Sequence, residues 1–302
     1  MENNRHPFKA WLLATRPWSF PASAMPIVAT LSYLYWAGEK VNWLIGLWAL
    51  VTIVVFHAAG NTWSDYFDFK KGVDREDTLG GTSITSGKFQ ACEIKRLANA
   101  LLAIAVVSGL ALACCTGLPT LYFGLAGCIL TLLYPTLKYH ALGDLDIFLT
   151  YSLLPILGTS YIATGCIVEK ALWLVLPIGL ITVGILHVNN ARDIEHDRRA
   201  GINTFAMLVG KRASVYIYIA ELILPFICIV AGILFKAMPV GAVAVLIALK
   251  PAIDNSRAML KLPHEGMKAI AGIDEKTAQL QLAFSMIFSI SCLVSVLIEN
   301  ML

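Results

Sequence analysis

The chain has 302 residues, of which 58% are hydrophobic and 14% are charged, with a formal net charge of +3 at pH 7. A soluble globular domain carries about 45–50% apolar and about 25% charged residues, so this composition excludes a soluble enzyme with one buried core. It also excludes a disordered or nucleic-acid-binding chain, because the sequence contains no polar low-complexity tract. The composition is that of an integral membrane protein.

Nine apolar segments approach the length of a membrane-spanning helix, which is about 20 residues. They cover approximately residues 18–37, 42–60, 96–115, 119–135, 146–165, 172–188, 214–235, 237–253 and 278–298. Before the first of them, residues 6–17 mix Trp and Leu with Lys and Arg, as a short interfacial helix does. We therefore predict an all-α, polytopic membrane protein in which residues 1–302 form one domain. About nine transmembrane helices would form a bundle around a central cavity.

The basic residues indicate how the chain is oriented. If the N-terminus lies inside, 20 of the 23 Lys and Arg residues fall on the inside, and only Lys40, Lys170 and Lys236 fall outside. Cytoplasmic segments carry an excess of Lys and Arg, so this distribution predicts an N-in, C-out topology with an odd number of spans. The expected location is the cell inner (cytoplasmic) membrane, crossed several times.

The first of two acidic clusters follows the second predicted span. Asn61, Asp65 and Asp68 are spaced i, i+4 and i+7, so they lie on one face of a helix that continues beyond the apolar segment. Asp74 follows shortly after Gly72. The cluster therefore places three carboxylates at the inner membrane boundary.

The second acidic cluster follows the sixth predicted span, where Asn189, Asp193 and Asp197 likewise share one helical face. The asparagine and the first aspartate of the two clusters are in register, with an offset of 128 residues in each case. This offset predicts a two-fold pseudo-repeat, with a first half at about 1–135 and a second half at about 146–298. Two helix ends would then converge on one pocket.

Carboxylates packed together at a membrane boundary repel one another and lose hydration, and divalent cations relieve both costs. Mg²⁺ prefers oxygen ligands and is bound through one or two carboxylates together with substrate phosphates. Two facing aspartate clusters can therefore hold a diphosphate between metal ions. Interleaved Lys70, Lys71, Arg75 and Arg192 would add phosphate contacts. Solvated loops are the alternative explanation, but matching clusters on one side of the membrane favour a binding site.

Other polar residues lie close to these clusters or within spans. Tyr134 and Lys138 place a phenol and an ammonium on one helical face at the inside end of the fourth span. His187, just before the second cluster, either orients a ligand asparagine, lines an aromatic pocket, or packs as a buried histidine. Glu221 lies inside the seventh span, where a carboxylate is costly, and either a buried hydrogen-bonded role or a substrate contact is open.

These features resemble those of the UbiA superfamily of intramembrane aromatic prenyltransferases. The similarity rests on the two Asp-rich motifs, the nine predicted spans and the Tyr-x-x-x-Lys pattern, and it extends over most of the chain. Ser64 stands where many members have an asparagine, and Asn61 would take over that ligand role. Within the superfamily the chain resembles the 1,4-dihydroxy-2-naphthoate polyprenyltransferases (MenA) at residues 11–17, 68–74, 78–81 and 189–201.

The resemblance implies an enzyme, a Mg²⁺-dependent prenyltransferase. It would transfer a polyprenyl group from an all-trans polyprenyl diphosphate to 1,4-dihydroxy-2-naphthoate. Loss of CO₂ and diphosphate would give demethylmenaquinone, a step of menaquinone biosynthesis. The active site would face the cytoplasm, and the expected partners are the two substrates and the lipid bilayer, without nucleic acid.

The same resemblance assigns roles to individual residues. The expected catalytic residues are Asp65, Asp68, Asp193 and Asp197. The expected ligands of two Mg²⁺ ions are Asn61, Asp65, Asp68, Asp74, Asn189, Asp193 and Asp197. The diphosphate-binding candidates are Lys71, Arg75, Tyr134, Lys138 and Arg192. The acceptor-binding candidates are Arg16 and His187.

Three other functions are compatible with parts of the pattern. A UbiA-type enzyme for another acceptor, such as 4-hydroxybenzoate, homogentisate or haem, would share these motifs. A CDP-alcohol phosphotransferase would concentrate its aspartates in one contiguous motif, whereas four spans separate them here. A secondary transporter with inverted repeats would place its site near the middle of the membrane on broken helices, whereas these acids lie at one face.

Overall fold

The computed structural model describes residues 6–72 and 83–301, and within them the regular structure is helical, apart from one isolated bridge between His140 and Asn203. The α-helices are α1 (Phe8–Ala14), α2 (Pro21–Trp36), α3 (Trp43–Lys71), α4 (Ala91–Thr116), α5 (Leu118–Lys138), α6 (Gly143–Phe148), α7 (Leu154–Thr164), α8 (Val175–Arg199), α9 (Phe205–Leu234), α10 (Leu249–Met259), α11 (Leu262–Glu265) and α12 (Ile273–Glu299). Short 3-10 segments cover Pro17–Ser19, Glu169–Leu174, Val240–Ala248 and Met267–Ile270, and a π-helix covers Leu149–Leu153. The expected all-α class is confirmed.

Seven helical segments in the described part of the chain are long and apolar enough to cross a membrane. They correspond to seven of the nine predicted spans. The predicted spans at about 18–37 and 237–253 are helical too, but α2 has only 16 residues, and the 3-10 segment Val240–Ala248 continues into the charged helix α10. A multi-pass membrane protein is therefore supported, while the count of nine, the N-in, C-out orientation and the pseudo-repeat stay predictions.

Helix α3 is longer than a membrane requires, and its extra turns carry the first acidic cluster. Its 29 residues rise by about 1.5 Å each, which exceeds a hydrocarbon core of about 30 Å. The Asn42 side chain caps its start by accepting a hydrogen bond from the Ile45 backbone N–H (3.2 Å). Gly72, with a left-handed φ of 73°, ends it. Asn61, Asp65 and Asp68 are thus fixed on a regular helix.

Helix α8 carries the second cluster through the centre of the fold, packed against α6, α9 and α12. Close packing depends on small residues, because helices in lipid associate through van der Waals contact. A Cβ atom added at Gly179 would lie only 2.6 Å from Cε2 of Phe148. The absence of a side chain at this position therefore lets α8 approach α6.

The largest cluster of buried apolar side chains joins α2, α8, α9 and α12, and the hydroxyls of its two tyrosines have partners. The Tyr33 hydroxyl donates to the carbonyl of Ala237 (2.9 Å), and the hydroxyl oxygens of Tyr218 and Thr277 lie 2.6 Å apart. Because lipid offers no hydrogen bonds, such internal pairing is needed for buried polar groups in a membrane. This core holds α8 in place, so that its C-terminal turns border a cavity.

Candidate active site

A cavity of about 580 Å³ lies between the C-terminal halves of α3 and α8. Pockets for small molecules run from about 300 to 1,000 Å³, so a ligand of that kind fits. Further lining residues come from α5, α6, the π-helix, the start of α12 and the N-terminal segment. The sequence-predicted site residues in the lining are Arg16, Asn61, Asp65, Asp68, Tyr134, Lys138, Asn189, Arg192, Asp193 and Asp197. Both acidic clusters therefore border one cavity.

The first cluster is connected to the N-terminal segment. Asp65 is buried and forms an ion pair with the guanidinium of Arg16. The side-chain amide of Asn61 donates to the carbonyl of Thr15 and to the hydroxyl of Ser19, both at 2.9 Å. Arg16, an acceptor-binding candidate from sequence, thus contacts an aspartate of the first cluster.

Asp68 is held by three side chains. The Tyr139 hydroxyl donates to Oδ1 at 2.6 Å, the Ser64 hydroxyl donates to Oδ2 at 3.2 Å, and Lys138 Nζ lies 3.4 Å from Oδ2. Hydrogen bonds to an ionised carboxylate are short and stronger than neutral ones. These contacts join the end of α5 to α3 and place the ammonium group of Lys138 beside the first cluster.

The second cluster has a bidentate ion pair at its centre. Nε and Nη2 of Arg192 donate to the two carboxylate oxygens of Asp193 at 2.9 and 2.8 Å, and Nη1 lies 3.3 Å from Oδ2 of Asp274 on α12. Asn189 Oδ1 is buried and accepts no hydrogen bond from the described residues. This oxygen and the carboxylates around it form an oxygen-rich face on α8.

Four predicted site residues are not placed on the cavity. Lys71 is exposed, with its ammonium 4.8 Å from the ring centroid of Tyr139. His187 is fully buried and is absent from the lining. Asp74 and Arg75 lie outside the described residues. The geometry therefore gives no support to the predicted roles of Lys71 in diphosphate binding and of His187 in acceptor binding.

His187 instead joins two buried carboxylates. Its Nδ1 lies 3.2 Å from Oδ2 of Asp144 and 3.2 Å from Oε1 of Glu221. Asn190, which does line the cavity, donates to the other oxygen of Asp144 at 3.3 Å. Of the two roles open for Glu221, the structure therefore shows the buried, paired one, which offsets the cost of a carboxylate in an apolar helix.

Sequence reasoning missed several residues at the cavity, namely Asp146, Asp274 and Glu275 in the lining and Tyr139 against Asp68. For Asp146 a signal exists, because it lies within a predicted span, where a carboxylate is costly. For Asp274 no local signal exists. Its partner Arg192 is 82 residues away in the chain, and only helix packing brings the two together.

The cavity lining carries more acidic than basic side chains, and this excess of negative charge favours a bound cation. Seven of its described residues are Asp or Glu and three are Lys or Arg, an excess of four acidic groups. Within the described ranges, three potential ligand atoms come within 4.8 Å of one another only at the Asp144, His187 and Glu221 group. In these ranges the cluster aspartates do not come together in groups of three. They therefore suit ions that take one or two carboxylates each and complete their coordination with phosphate oxygens and water.

The cavity lining also contains aromatic and apolar side chains, among them Ala22, Ile147, Tyr151, Leu186 and Ala278. The Tyr151 ring packs edge-on against His57, with ring centroids 4.8 Å apart. His57 Nδ1 lies 2.9 Å from the hydroxyl of Ser23. The cavity therefore offers both ionic and apolar contacts to a single ligand or to two neighbouring ones.

Comparison with known proteins places these features in context. The model of the UbiA prenyltransferase family matches residues 24–263. UbiA prenyltransferase domain-containing protein 1 of Xenopus tropicalis is 32% identical over 225 residues, which are 72% of this chain and 64% of that protein. The chain thus spans less than two thirds of that relative. The Homo sapiens protein of the same name is 30% identical over 285 residues, 88% of this chain and 83% of that protein.

A solved structure of a UbiA homolog from Archaeoglobus fulgidus, bound to GPP and Mg²⁺, has a TM-score of 0.68 to this chain. The match covers 94% of this chain and 99% of that one at 14% sequence identity. Similarity at that level of identity concerns the fold, and it agrees with the helical membrane architecture described above.

Proposed function

The chain belongs to the UbiA prenyltransferase family, and we propose that this enzyme transfers a polyprenyl group from an all-trans polyprenyl diphosphate to 1,4-dihydroxy-2-naphthoate. The products are demethylmenaquinol, which is the hydroquinone form of demethylmenaquinone, together with CO₂ and diphosphate. The observation that carries the proposal is a single cavity bordered by both Asp-rich clusters, three basic side chains and several apolar and aromatic ones. The Archaeoglobus homolog with bound GPP and Mg²⁺ supports the donor class.

Two Mg²⁺ ions are part of the proposal, one for each cluster. The residues that would hold them are Asn61, Asp65 and Asp68 on α3, Asn189, Asp193 and Asp197 on α8, and Asp74. When bound, Mg²⁺ supplies positive charge that lowers the cost of charge developing on the departing diphosphate. The excess of acidic lining residues is the feature of this chain that suits such ions.

The basic lining residues are the proposed direct contacts to diphosphate. Arg16, Lys138 and Arg192 each pair with a cluster aspartate, so each lies within reach of a ligand held at the clusters. Arginine binds phosphate oxygens in a bidentate manner, and lysine acts as a point charge. On donor binding these cations would share their contacts between the aspartates and the diphosphate, with Tyr134 beside them.

The chemistry then requires positioning and shielding more than a nucleophile. As the C1–O bond of the donor breaks, its bonding pair leaves with the diphosphate and an allylic cation remains. The apolar lining residues would limit the access of water to this cation, and the aromatic rings of Tyr134 and Tyr151 in the lining suit a positive charge. The electron-rich acceptor ring attacks C1, and its carboxyl group leaves as CO₂.

The choice of naphthoate is supported by the similarity of residues 68–74 and 189–201 to the naphthoate prenyltransferases. The UbiA-type alternatives, with 4-hydroxybenzoate, homogentisate or haem as acceptor, use the same donor chemistry. We also propose a location in the cell inner membrane, and the distribution of Lys and Arg supports an orientation with the cavity open toward the cytoplasm.

The test is prenyl transfer by the full chain in liposomes, with Mg²⁺, one polyprenyl diphosphate, and 1,4-dihydroxy-2-naphthoate or 4-hydroxybenzoate offered separately. We expect product from the naphthoate, abolished by chelation. Asp65→Asn and Asp193→Asn should each lower kcat by about 100-fold or more, because each removes a charged ligand of the Mg²⁺ that would stabilise the departing diphosphate. The matched control is Asp254→Asn, since Asp254 is exposed, lies on α10 and pairs only with Lys250 among the described residues.

The outcomes separate the parts of the proposal. Product from 4-hydroxybenzoate alone would keep the mechanism and replace the acceptor. Full turnover in both cluster variants, or after chelation, would contradict the diphosphate site. Cation binding without transfer to any arene would favour the transporter.

A further inference from the structure

Asp146 is a buried carboxylate on the cavity wall that donor binding leaves without a role. It lies on α6, is 3% exposed and lines the cavity. Its Oδ1 has no hydrogen-bond partner among the described residues, and no basic side chain in those ranges forms an ion pair with it. Asp65, Asp68 and Asp193, in contrast, each face Arg or Lys. Asp146 therefore faces space for a ligand without an internal partner.

Thr150, four residues further along, shares this property. Its hydroxyl oxygen is also buried without a hydrogen-bond partner in the described part of the chain, and Thr150 also lines the cavity. Together the two side chains present a hydrogen-bond acceptor and a hydroxyl that can donate or accept. Buried polar atoms are nearly always satisfied in native proteins, so a ligand with its own hydrogen-bonding groups is the expected partner.

The backbone at this wall is also unusual. Thr150 belongs to the π-helix Leu149–Leu153, and π turns within helices are rare and frequent at functional sites. Tyr151 in the same segment packs against His57, whose Nε2 lies 3.3 Å from the Ser19 hydroxyl. That hydroxyl accepts a hydrogen bond from Asn61. The wall is thus connected through side-chain contacts to the first acidic cluster.

We infer that Asp146 and Thr150 form the subsite for a ring hydroxyl of the aromatic acceptor, an inference that rests on the proposed prenyl transfer. Asp146 accepts a hydrogen bond from the hydroxyl, and the rings of Tyr134 and Tyr151 lie along the same cavity. A carboxylate without a neighbouring cation repels an anionic diphosphate, whereas a neutral O–H group satisfies it. The ligand class at this wall is therefore a hydroxylated arene.

The proton balance gives Asp146 the role of general base. The O–H proton passes to its carboxylate, and the O–H bonding pair becomes part of a C=O bond on the ring. A ring π pair forms the bond to C1 of the prenyl cation, from which the C1–O pair has already left with the diphosphate. When the carboxyl group of the acceptor leaves as CO₂, its C–C bonding pair returns to the ring. Asp146 then gives the proton back to the ring oxygen, so that the product is a hydroquinone. Removing the proton makes the ring more nucleophilic at the moment of attack.

The experiment compares wild type with Asp146→Asn, which keeps the shape of the side chain and a hydrogen-bond acceptor but cannot take a proton. We expect kcat/KM for the acceptor to fall by about 100-fold or more, with the KM of the donor unchanged. The activity of the wild type should rise with pH as the carboxyl group of Asp146 deprotonates. This rise in the pH profile should be absent in Asp146→Asn. Asp146→Glu should restore part of the rate, and Asp254→Asn should match wild type.

A second variant tests the subsite without touching the base. Thr150→Val removes the hydroxyl and keeps the volume, so we expect the acceptor KM to rise by about tenfold, the value of one hydrogen bond, with little change in kcat. The thermal unfolding midpoint and the donor KM of each variant report whether its fold and donor site are intact.

Asp146→Asn with wild-type acceptor kcat/KM and an unchanged pH profile would overturn the inference and leave the proposed function standing. If the wild type prenylates no arene at all, the proposed function fails separately. Equilibrium binding of 1,4-dihydroxy-2-naphthoate then decides the subsite, because equal affinity in wild type, Asp146→Asn and Thr150→Val overturns it and weaker binding by the variants supports it.

Discussion

Asp65, Asp68 and Asp193 line the cavity and face basic side chains, whereas Asp144 and Glu221 lie outside the lining and share the imidazole of His187. The difference in access decides what these carboxylates can do. At the cavity a diphosphate or a cation can replace an internal partner. In the buried group the imidazole of His187 faces both carboxylates, and we expect these contacts to contribute to stability.

At the scale of single residues, we predict that His187→Leu destabilises the protein. Removing one partner of a buried ionic group leaves the others uncompensated and costs about 3–5 kcal/mol. We expect the thermal unfolding midpoint of the variant in detergent to fall sharply. Adding Glu221→Gln in the same chain should recover part of the loss, because it removes one of the two carboxylates that face each other.

The matched control is His264→Leu, since His264 on α11 is exposed. It should unfold at the temperature of the wild type. The stability change caused by Glu221→Gln should also be measured in the wild-type chain. If Glu221→Gln lowers stability by the same amount in the His187→Leu chain as in the wild type, His187 and Glu221 do not interact.

At the scale of the helices, close packing of α8 sets the position of the second cluster. Gly179 faces Phe148, which directly precedes the π-helix that carries Thr150. A change in this contact therefore alters both the stability of the bundle and the wall proposed for the acceptor. Helix α5 offers a contrast, because a Cβ atom at Gly127 would meet nothing within 4 Å.

We predict that Gly179→Ala lowers the free energy of unfolding by about 1–3 kcal/mol, since overpacking forces neighbouring side chains to shift. Denaturant or thermal unfolding in detergent measures the loss. Phe148→Leu in the same chain should restore part of the stability by making room for the added methyl group. Gly127→Ala should be neutral or slightly stabilising, because alanine favours the helix, and a loss there as large as at Gly179 would refute the packing explanation.

At the scale of the whole molecule, the acidic clusters and the excess of basic residues are assigned to the same side of the membrane. Of the 23 Lys and Arg residues, 20 fall on the inside in the N-in arrangement. This assignment requires that the segment at about 18–37 crosses the membrane, although it is not among the seven segments of the described residues that meet the criteria of length and hydropathy. With nine spans, an N-in chain has both clusters inside and its C-terminus outside. With only those seven spans, an N-in chain would also end outside but would place both clusters outside.

The prediction is tested with reporters fused to the C-terminus of the full chain in a bacterial host. Alkaline phosphatase, which is active only outside the cytoplasm, should be active, and a green fluorescent protein fusion should remain dark. The reverse result would establish an even number of spans or an inverted chain. An inverted chain would place the cavity on the side away from the cytoplasm. An even number of spans would mean that one of the predicted spans, such as that at about 18–37 or 237–253, does not cross the membrane.

Several features of the site could be predicted because they depend on local spacing. Asn61, Asp65 and Asp68 repeat at helical intervals, and the same is true of Asn189, Asp193 and Asp197, so each set had to share a face once its helix formed. The structure places both sets on one cavity. Lys71 and His187 were selected by proximity along the chain, and they lie off the cavity because neighbouring residues on a helix point in different directions.

The amino-acid sequence by itself determined the helical membrane class, since the length and hydropathy of each segment are local properties. Only the tertiary structure decided which side chains meet. Arg16 reaches Asp65, Tyr139 reaches Asp68 and Arg192 reaches Asp274 across 49, 71 and 82 residues of chain. Asp146 became a cavity residue through the packing of α6 against α8. Such contacts depend on the relative position of whole helices, and the periodicity within one helix carries no information about its neighbours.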